Sequence, residues 1–139
     1  MKENTTTAGI KNIKDHGKIP PWTLVVALLM ILFGLAEVVT AFTHNFFGVT
    51  TSRATIFTIS AVAIGAFYVA AGLLILTMKK WAASIAIVLL AADIVGRIAL
   101  VAAGLYPLDS FEQNFAIVMG TAIAALFAIY IGWKWNSFR

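Results

Sequence analysis

Residues 21–43 read PWTLVVALLMILFGLAEVVTAFT and decide the fold class. The stretch exceeds the ~20 apolar residues that a helix needs to cross a bilayer, and its single charged residue is Glu37. It is too long for a removable signal peptide and lacks a small-residue cleavage site. We therefore expect it to persist as a first transmembrane helix.

Three more apolar stretches of similar length follow, so the chain is predicted to cross the membrane four times. Lys79 and Lys80 make the turn between the second and third stretches, Pro107 stops the third, and Asp109 or Ser110 caps the fourth. The short connections make neighbouring helices antiparallel. The prediction is an all-α, polytopic integral membrane protein, a four-transmembrane-helix antiparallel bundle, with helices over about 21–43, 54–78, 81–105 and 111–135.

The composition requires lipid as the main solvent. Hydrophobic residues make up 61% of the 139 residues, charged residues make up 12%, and the mean hydropathy is +0.94. A water-soluble domain of this size has too little interior to hide so much apolar surface. Four spans leave no room for a soluble catalytic domain, and the absence of Cys excludes disulfides, thiolate metal sites and thiol redox chemistry.

The charges at the helix ends predict the orientation. Eight Lys and Arg residues lie in a polar arm over 1–20, in the Lys79-Lys80 turn and around a short tail over 136–139, whereas the other two loops hold only Arg53. The positive-inside rule therefore places both termini in the cytoplasm, and we expect the plasma (inner) membrane of a prokaryote. Four tryptophans fall at helix ends on that same face, as interface anchors do: Trp22, Trp81, Trp133 and Trp135.

Small residues recur every four positions on the fourth predicted helix: Ala116, Gly120, Ala124, Ala128 and Gly132. Such a packing stripe lets another helix approach closely. One interpretation is packing within the bundle, and the other is contact with a second copy or another membrane subunit. The expected partners are membrane lipid and such a homo-oligomer or complex partner. Membrane orientation explains the net charge of +4, so no nucleic acid partner is expected.

Three charged residues lie inside predicted spans: Glu37 in the first, and Asp93 with Arg97 in the third. Left unpaired, the three would cost on the order of 8–10 kcal/mol, so we expect them to face the bundle interior and to pair. Asp93 and Arg97 are one helical turn apart on the same face. At ~1.5 Å per residue from the tryptophan anchors, Arg97 lies level with Glu37.

The same depth calculation places Tyr68 and Thr121 close to the level of these charges, and His44 at the outer end of the first helix. We therefore predict one polar cavity that opens to the outside. Because two carboxyls beside one guanidinium leave excess negative charge when all are ionised, Glu37 is the candidate for proton exchange. The ligand- or proton-binding candidates are Glu37, Asp93, Arg97, Tyr68, Thr121 and His44.

Two classes of function fit these residues. The first is a small membrane protein that binds or transports a small solute or lipid through the cavity. The second is a non-catalytic accessory or structural subunit of a larger membrane complex, in which the ion cluster is a buried clasp. The spans contain no His pair for haem, no metal-ligand spacing, no Ser–His or Ser–Lys couple and no phosphate-binding loop. We expect no metal, no cofactor and no catalytic residue.

The segment Leu35-Ala36-Glu37-Val38-Val39 resembles the first helix of the small multidrug resistance transporters, in which an Ala-Glu-Val or Ala-Glu-Ile segment carries a proton- and drug-binding Glu. The resemblance implies a four-helix fold and that role for Glu37. It covers part of one helix. The later helices lack the family's Trp- and Gly-bearing segment, and Asp93 and Arg97 have no counterpart in its pattern.

Overall fold

The computed structural model describes residues 19–46, 48–51, 53–106 and 108–139. Within these ranges it contains four helices that are long and apolar enough to cross a membrane, so the helical membrane fold is confirmed at that level. Apart from Ile19 and Pro20, the predicted polar arm lies outside the described residues. The helices are α1 (Pro21–Thr43), α2 (Thr55–Leu76), α3 (Lys80–Ala102) and α4 (Phe111–Trp133).

Two helix ends show how local sequence sets the bounds. The Ser110 hydroxyl accepts a hydrogen bond from the Gln113 amide at 3.2 Å, so Ser110 is the cap of α4. At its other end α4 stops at Trp133, and residues Trp135–Ser137 form a short 3-10 turn instead of continuing the helix to 135. Likewise, α2 ends at Leu76, before Met78 turns the chain with a positive φ of 55°.

The third helix ends at Ala102 and not at 105, because Gly104 takes a left-handed backbone with φ +66°. The amides of Leu105 and Gly104 each donate, at 3.0 Å, to the carbonyls of Leu100 and Val101 respectively. This is the Schellman arrangement, in which a glycine closes the last helical turn. The helix therefore stops before it reaches Pro107, which the sequence analysis took as the stop.

A small hairpin connects α1 to α2, and the sequence analysis did not predict it. Strands β1 (Asn45–Phe46) and β2 (Val49–Thr50) pair antiparallel. The Asn45 side chain accepts a hydrogen bond from the Gly48 amide at 2.7 Å, and Gly48 has a φ of +95°. An Asn side chain that bonds the backbone ahead of it, followed by a glycine with positive φ, stabilises such a turn.

Glycines allow α1 and α2 to pack backbone against backbone. A Cβ atom built on Gly34 would lie 2.5 Å from the Gly65 carbonyl oxygen, and one built on Gly72 would lie 2.8 Å from the Ala27 carbonyl oxygen. No side chain fits at these distances, so the approach depends on glycine. Since Gly34 meets Gly65 while Ala27 meets Gly72, the two helices run in opposite directions.

Large apolar side chains cover the outside of the bundle, and small ones fill much of the inside. The buried residues include several alanines with no exposed surface: Ala27, Ala71, Ala82, Ala83, Ala86 and Ala124. Exposed large residues occur on all four helices, among them Leu32, Ile59, Val88, Val95, Leu126 and Ile129. An apolar surface of this extent is costly in water but ordinary in lipid, where close helix packing depends on small residues.

The two ends of the bundle are chemically different. One end, named the hairpin end, carries the β-hairpin and the α3–α4 loop. The other end, named the tryptophan end, carries the start of α1, the α2–α3 turn and the chain after α4. There the Thr23 and Tyr130 hydroxyls lie 3.3 Å apart, which joins the start of α1 to the end of α4. The four predicted anchors, Trp22, Trp81, Trp133 and Trp135, are all exposed at this end.

Candidate functional site

Arg97 on α3 holds two carboxylates at once. Its Nε donates to Oδ1 of Asp93, one turn earlier on the same helix, at 2.8 Å. Its Nη2 donates to Oε1 of Glu37 on α1, also at 2.8 Å. The ion cluster therefore consists of one guanidinium and two carboxyls, and it carries one excess negative charge when all three groups are ionised.

The two carboxylates differ in their exposure. The Asp93 side chain is 0% exposed, and its second oxygen, Oδ2, is buried with no hydrogen-bond partner among the described residues. The Glu37 side chain is 16% exposed and lies in the wall of a cavity. Asp93 is thus a counter-ion of Arg97 that is shielded from solvent, whereas Glu37 faces the cavity.

The small-residue stripe on α4 makes room for the guanidinium. A Cβ atom built on Gly120 would overlap Nη1 of Arg97, so a larger residue here would require the guanidinium to shift. Sequence reasoning identified Gly120 as part of a helix-packing stripe and missed this local role. The signal that could have revealed this role is a glycine at the same depth in the membrane as a buried charge on a neighbouring helix.

Tyr68 on α2 completes the floor of the site. It is 2% exposed, and its hydroxyl donates a long hydrogen bond of 3.4 Å to the Gly120 carbonyl. The hydroxyl also interacts electrostatically with Asp93, Arg97 and Glu37. Groups from all four helices therefore meet at one level of the bundle, as the depth calculation predicted for Glu37, Arg97 and Tyr68.

A cavity of about 280 Å³ opens from this level into the hairpin half of the bundle. Its polar groups come from Glu37 and Arg97, from the Tyr68 and Tyr106 side chains, and from a few hydroxyls. Most of the wall is apolar, which is the usual character of a small-molecule site. The other lining residues are Phe33, Thr40, Thr51, Phe57, Ser60, Ala61, Ile64, Leu100, Phe115, Ala116, Met119, Gly120 and Ile123.

Two aromatic rings meet at the cavity wall on the hairpin side. The rings of Phe57, in the first turns of α2, and Tyr106, in the α3–α4 loop, have centroids 5.4 Å apart. Burial raises the pKa of Tyr106, so its hydroxyl stays protonated at neutral pH and remains a hydrogen-bond donor. Neither residue was predicted from the sequence, because no pattern shows which face of α2 points inward at Phe57 or that Tyr106 in the loop turns towards the cavity.

Three of the six candidates, His44, Thr121 and Asp93, are absent from the cavity wall. His44 ends α1 with a left-handed backbone of φ 53°, and its Nδ1 atom is buried without a hydrogen-bond partner in the described chain. Thr121 is half-buried and is absent from the cavity wall, where the adjacent Gly120 lies instead. The structure therefore groups Glu37, Arg97 and Tyr68 around the cavity and places Asp93 behind Arg97.

The residues of the packing stripe have different surroundings along α4. Ala116 and Gly120 line the cavity, Ala124 is fully buried, and Ala128 packs against the core. Gly132 is exposed, with open space where its side chain would be. Four of the five stripe residues therefore face the cavity or the core of this chain.

Among the residues that the structure describes, no group of three or more His, Asp or Glu side chains is arranged to hold a metal ion. What the site offers instead is an accessible carboxylate, a guanidinium already held by two carboxylates, two tyrosine hydroxyls and aromatic walls. Comparison of the chain with protein-family models, with curated proteins and with solved structures gives no match.

Proposed function

We propose that this chain is a small membrane protein whose cavity binds a small amphipathic molecule at the Glu37–Arg97 pair and passes it across the membrane. One observation carries the proposal: an ion pair located within membrane-spanning helices forms part of the wall of a cavity of about 280 Å³. Ionisable residues at such depth are costly and usually mark a substrate, ion or proton pathway.

The accessibility of Glu37 supports binding over a purely structural clasp. A clasp needs its charges paired in a dry interior, and Asp93 meets that description. The carboxylate of Glu37 is in contact with the cavity, where a ligand or water can reach it. Asp93 already gives Arg97 a buried counter-ion on the same helix, so the second carboxylate is available for a further role.

The dimensions and lining of the cavity restrict the ligand. The cavity volume of about 280 Å³ lies just below the ~300–1,000 Å³ found for small-molecule pockets, so the cavity suits a small solute or one end of a lipid. Aromatic and aliphatic walls suit its apolar part, and Glu37, Arg97 and Tyr106 suit its polar end. Because the ion cluster has one excess negative charge, a bound proton or a cationic group on the ligand would neutralise it.

The orientation is part of the proposal. The tryptophan end holds Lys79, Lys80, Lys134, Arg139 and the four tryptophans, and we assign this end to the cytoplasm by the positive-inside rule. The hairpin end then faces outward, and the cavity opens on the outer half of the membrane. The proposed location is the plasma membrane of a prokaryote.

Thiol labelling tests whether the cavity is reached by water. The chain has no Cys, so a single introduced thiol is unique. Ser60→Cys places it in the cavity wall, and Ala86→Cys places the matched control in the dry core, where Ala86 is 0% exposed. Two water-soluble methanethiosulfonates are applied to sealed vesicles, one carrying trimethylammonium and one carrying sulfonate, and modification is followed by intact mass.

We expect Ser60→Cys to be labelled much faster than Ala86→Cys. We also expect the trimethylammonium reagent to react faster than the sulfonate at position 60, because the cluster is negative. Adding Glu37→Gln should remove that preference while leaving the site accessible. Equal, slow labelling at both positions would contradict the proposal and leave the ion cluster as a structural clasp in an accessory subunit.

A further inference from the structure

The chain after α4 folds back onto the α2–α3 turn at the tryptophan end. The Phe138 side chain is 2% exposed and joins the core. The Arg139 amide donates to the Met78 carbonyl at 2.9 Å, and the Lys80 amide donates to the Arg139 carbonyl at 2.7 Å. These two hydrogen bonds bring Arg139 beside Lys79 and Lys80, although the sequence separates them widely.

The three basic residues whose main chains come together there are named the basic patch: Lys79, Lys80 and Arg139. All three are exposed, and none forms an ion pair within the described residues. The acidic residues in the described part of the chain lie elsewhere. Glu37 and Asp93 belong to the ion cluster, and Asp109 and Glu112 lie at the hairpin end. No acidic side chain of the described residues is therefore paired with the patch, and the main-chain oxygen of Arg139 is engaged by the Lys80 amide.

Tryptophans mark the height of the patch relative to the membrane. Trp81 follows the patch residue Lys80 directly and is 55% exposed, and Trp133 at the end of α4 is 77% exposed. The Lys134 ammonium lies over the Trp133 ring, 4.6 Å from its centroid. Exposed indoles settle at the level of the lipid headgroups. The basic patch is thus at the depth where lipid phosphates lie, and this argues for a lipid partner over a soluble anion.

We propose that the basic patch is a binding site for the phosphate headgroup of an anionic phospholipid in the leaflet at the tryptophan end. Ammonium and guanidinium groups donate charge-assisted hydrogen bonds to phosphate oxygens, and arginine can do so with two parallel bonds. Basic clusters beside membrane helices attract acidic lipids by this chemistry. The site is separate from the cavity and does not depend on the function proposed for it.

The test measures lipid binding to the intact chain in detergent. Phosphatidylglycerol and phosphatidylcholine with identical acyl chains are titrated separately, and bound lipid is counted by native mass spectrometry. The variants are Lys80→Gln and Arg139→Gln. The matched control is Arg53→Gln, which removes the same charge from an exposed residue at the hairpin end. Inorganic phosphate is added as a competitor in a further titration.

We expect phosphatidylglycerol to bind more tightly than phosphatidylcholine. Each patch variant should weaken that binding about fivefold, the effect of one charge near a lipid surface, while Arg53→Gln leaves it unchanged. Lys80→Arg should bind like the parent chain, which separates lost charge from lost folding. Equal affinity for the two lipids, equal losses in the Arg53 control, or full displacement by millimolar phosphate would each overturn the proposal.

Discussion

Arg97 and Glu37 are 60 positions apart in the chain, yet Nη2 of the arginine lies 2.8 Å from Oε1 of the glutamate. The same guanidinium is held by Asp93, whose Oδ2 accepts no hydrogen bond from the described residues. If Glu37 is neutralised, Arg97 therefore keeps one buried counter-ion with a spare acceptor atom. The cluster can lose the charge of one carboxylate without leaving the guanidinium unpaired in the membrane.

The first prediction follows from this asymmetry. Asp93→Asn should lower the free energy of unfolding by about 1–3 kcal/mol, because the fully buried site loses a charge-assisted hydrogen bond while Arg97 keeps Glu37 as its counter-ion. Glu37→Gln should cost only about 1 kcal/mol, because its side chain is partly exposed and Arg97 keeps Asp93. Thermal unfolding in detergent measures both. The asymmetry is refuted if Glu37→Gln is the more destabilising of the two.

The second prediction concerns the arginine itself. Arg97→Met leaves two carboxylates without a counter-ion in the membrane interior, so we expect the variant to be lost from the membrane fraction. Combining it with Glu37→Gln and Asp93→Asn should restore insertion, since no charge then remains to be paired. Quantifying membrane-inserted protein for the single and triple variants decides the point. A triple variant that is lost as completely as the single one would show that Arg97 acts through its shape and packing.

The sequence was informative where physical rules act along one helix. Apolar length predicted the four helices, and a rise of ~1.5 Å per residue correctly placed Arg97 level with Glu37. The same rule could not choose between neighbours on a helix, so it selected Thr121 although Gly120 is the residue at the cavity. Depth is a property of one helix, whereas the face that points inward depends on how four helices rotate against each other.

The positions of the loop residues could not be predicted from the sequence, for a different reason. Tyr106 reaches the cavity because Gly104 closes α3 early and redirects the chain, and the hairpin depends on the backbone of Gly48. No periodic pattern records such turns. Likewise, the basic patch depends on a pairing of Arg139 with Met78 and Lys80, which is set by the length of α4 and the burial of Phe138.

The third prediction tests the space that Gly120 leaves for Arg97. Gly120→Ala should displace the guanidinium and lower the free energy of unfolding by about 1–3 kcal/mol, the usual cost of overpacking. Gly132→Ala is the matched control on the same helix, because no atom lies within 4 Å of its added Cβ. It should be neutral or slightly stabilising. The readout is the unfolding midpoint of the two variants measured side by side, and equal midpoints would remove the steric role assigned to Gly120.

The fourth prediction treats the Phe57–Tyr106 contact as the part of the cavity wall that limits access from the hairpin end. Tyr106→Ala removes a ring whose centroid lies 5.4 Å from that of Phe57, so the cavity should open wider. In the Ser60→Cys background, thiol labelling should therefore accelerate. Tyr106→Phe keeps the ring and loses only the hydroxyl, so its labelling rate should match that of the parent. Acceleration by both variants would instead assign the barrier to the hydroxyl, and acceleration by neither would place the route of access between other residues, such as the α4 side chains Phe115 and Met119 in the same wall.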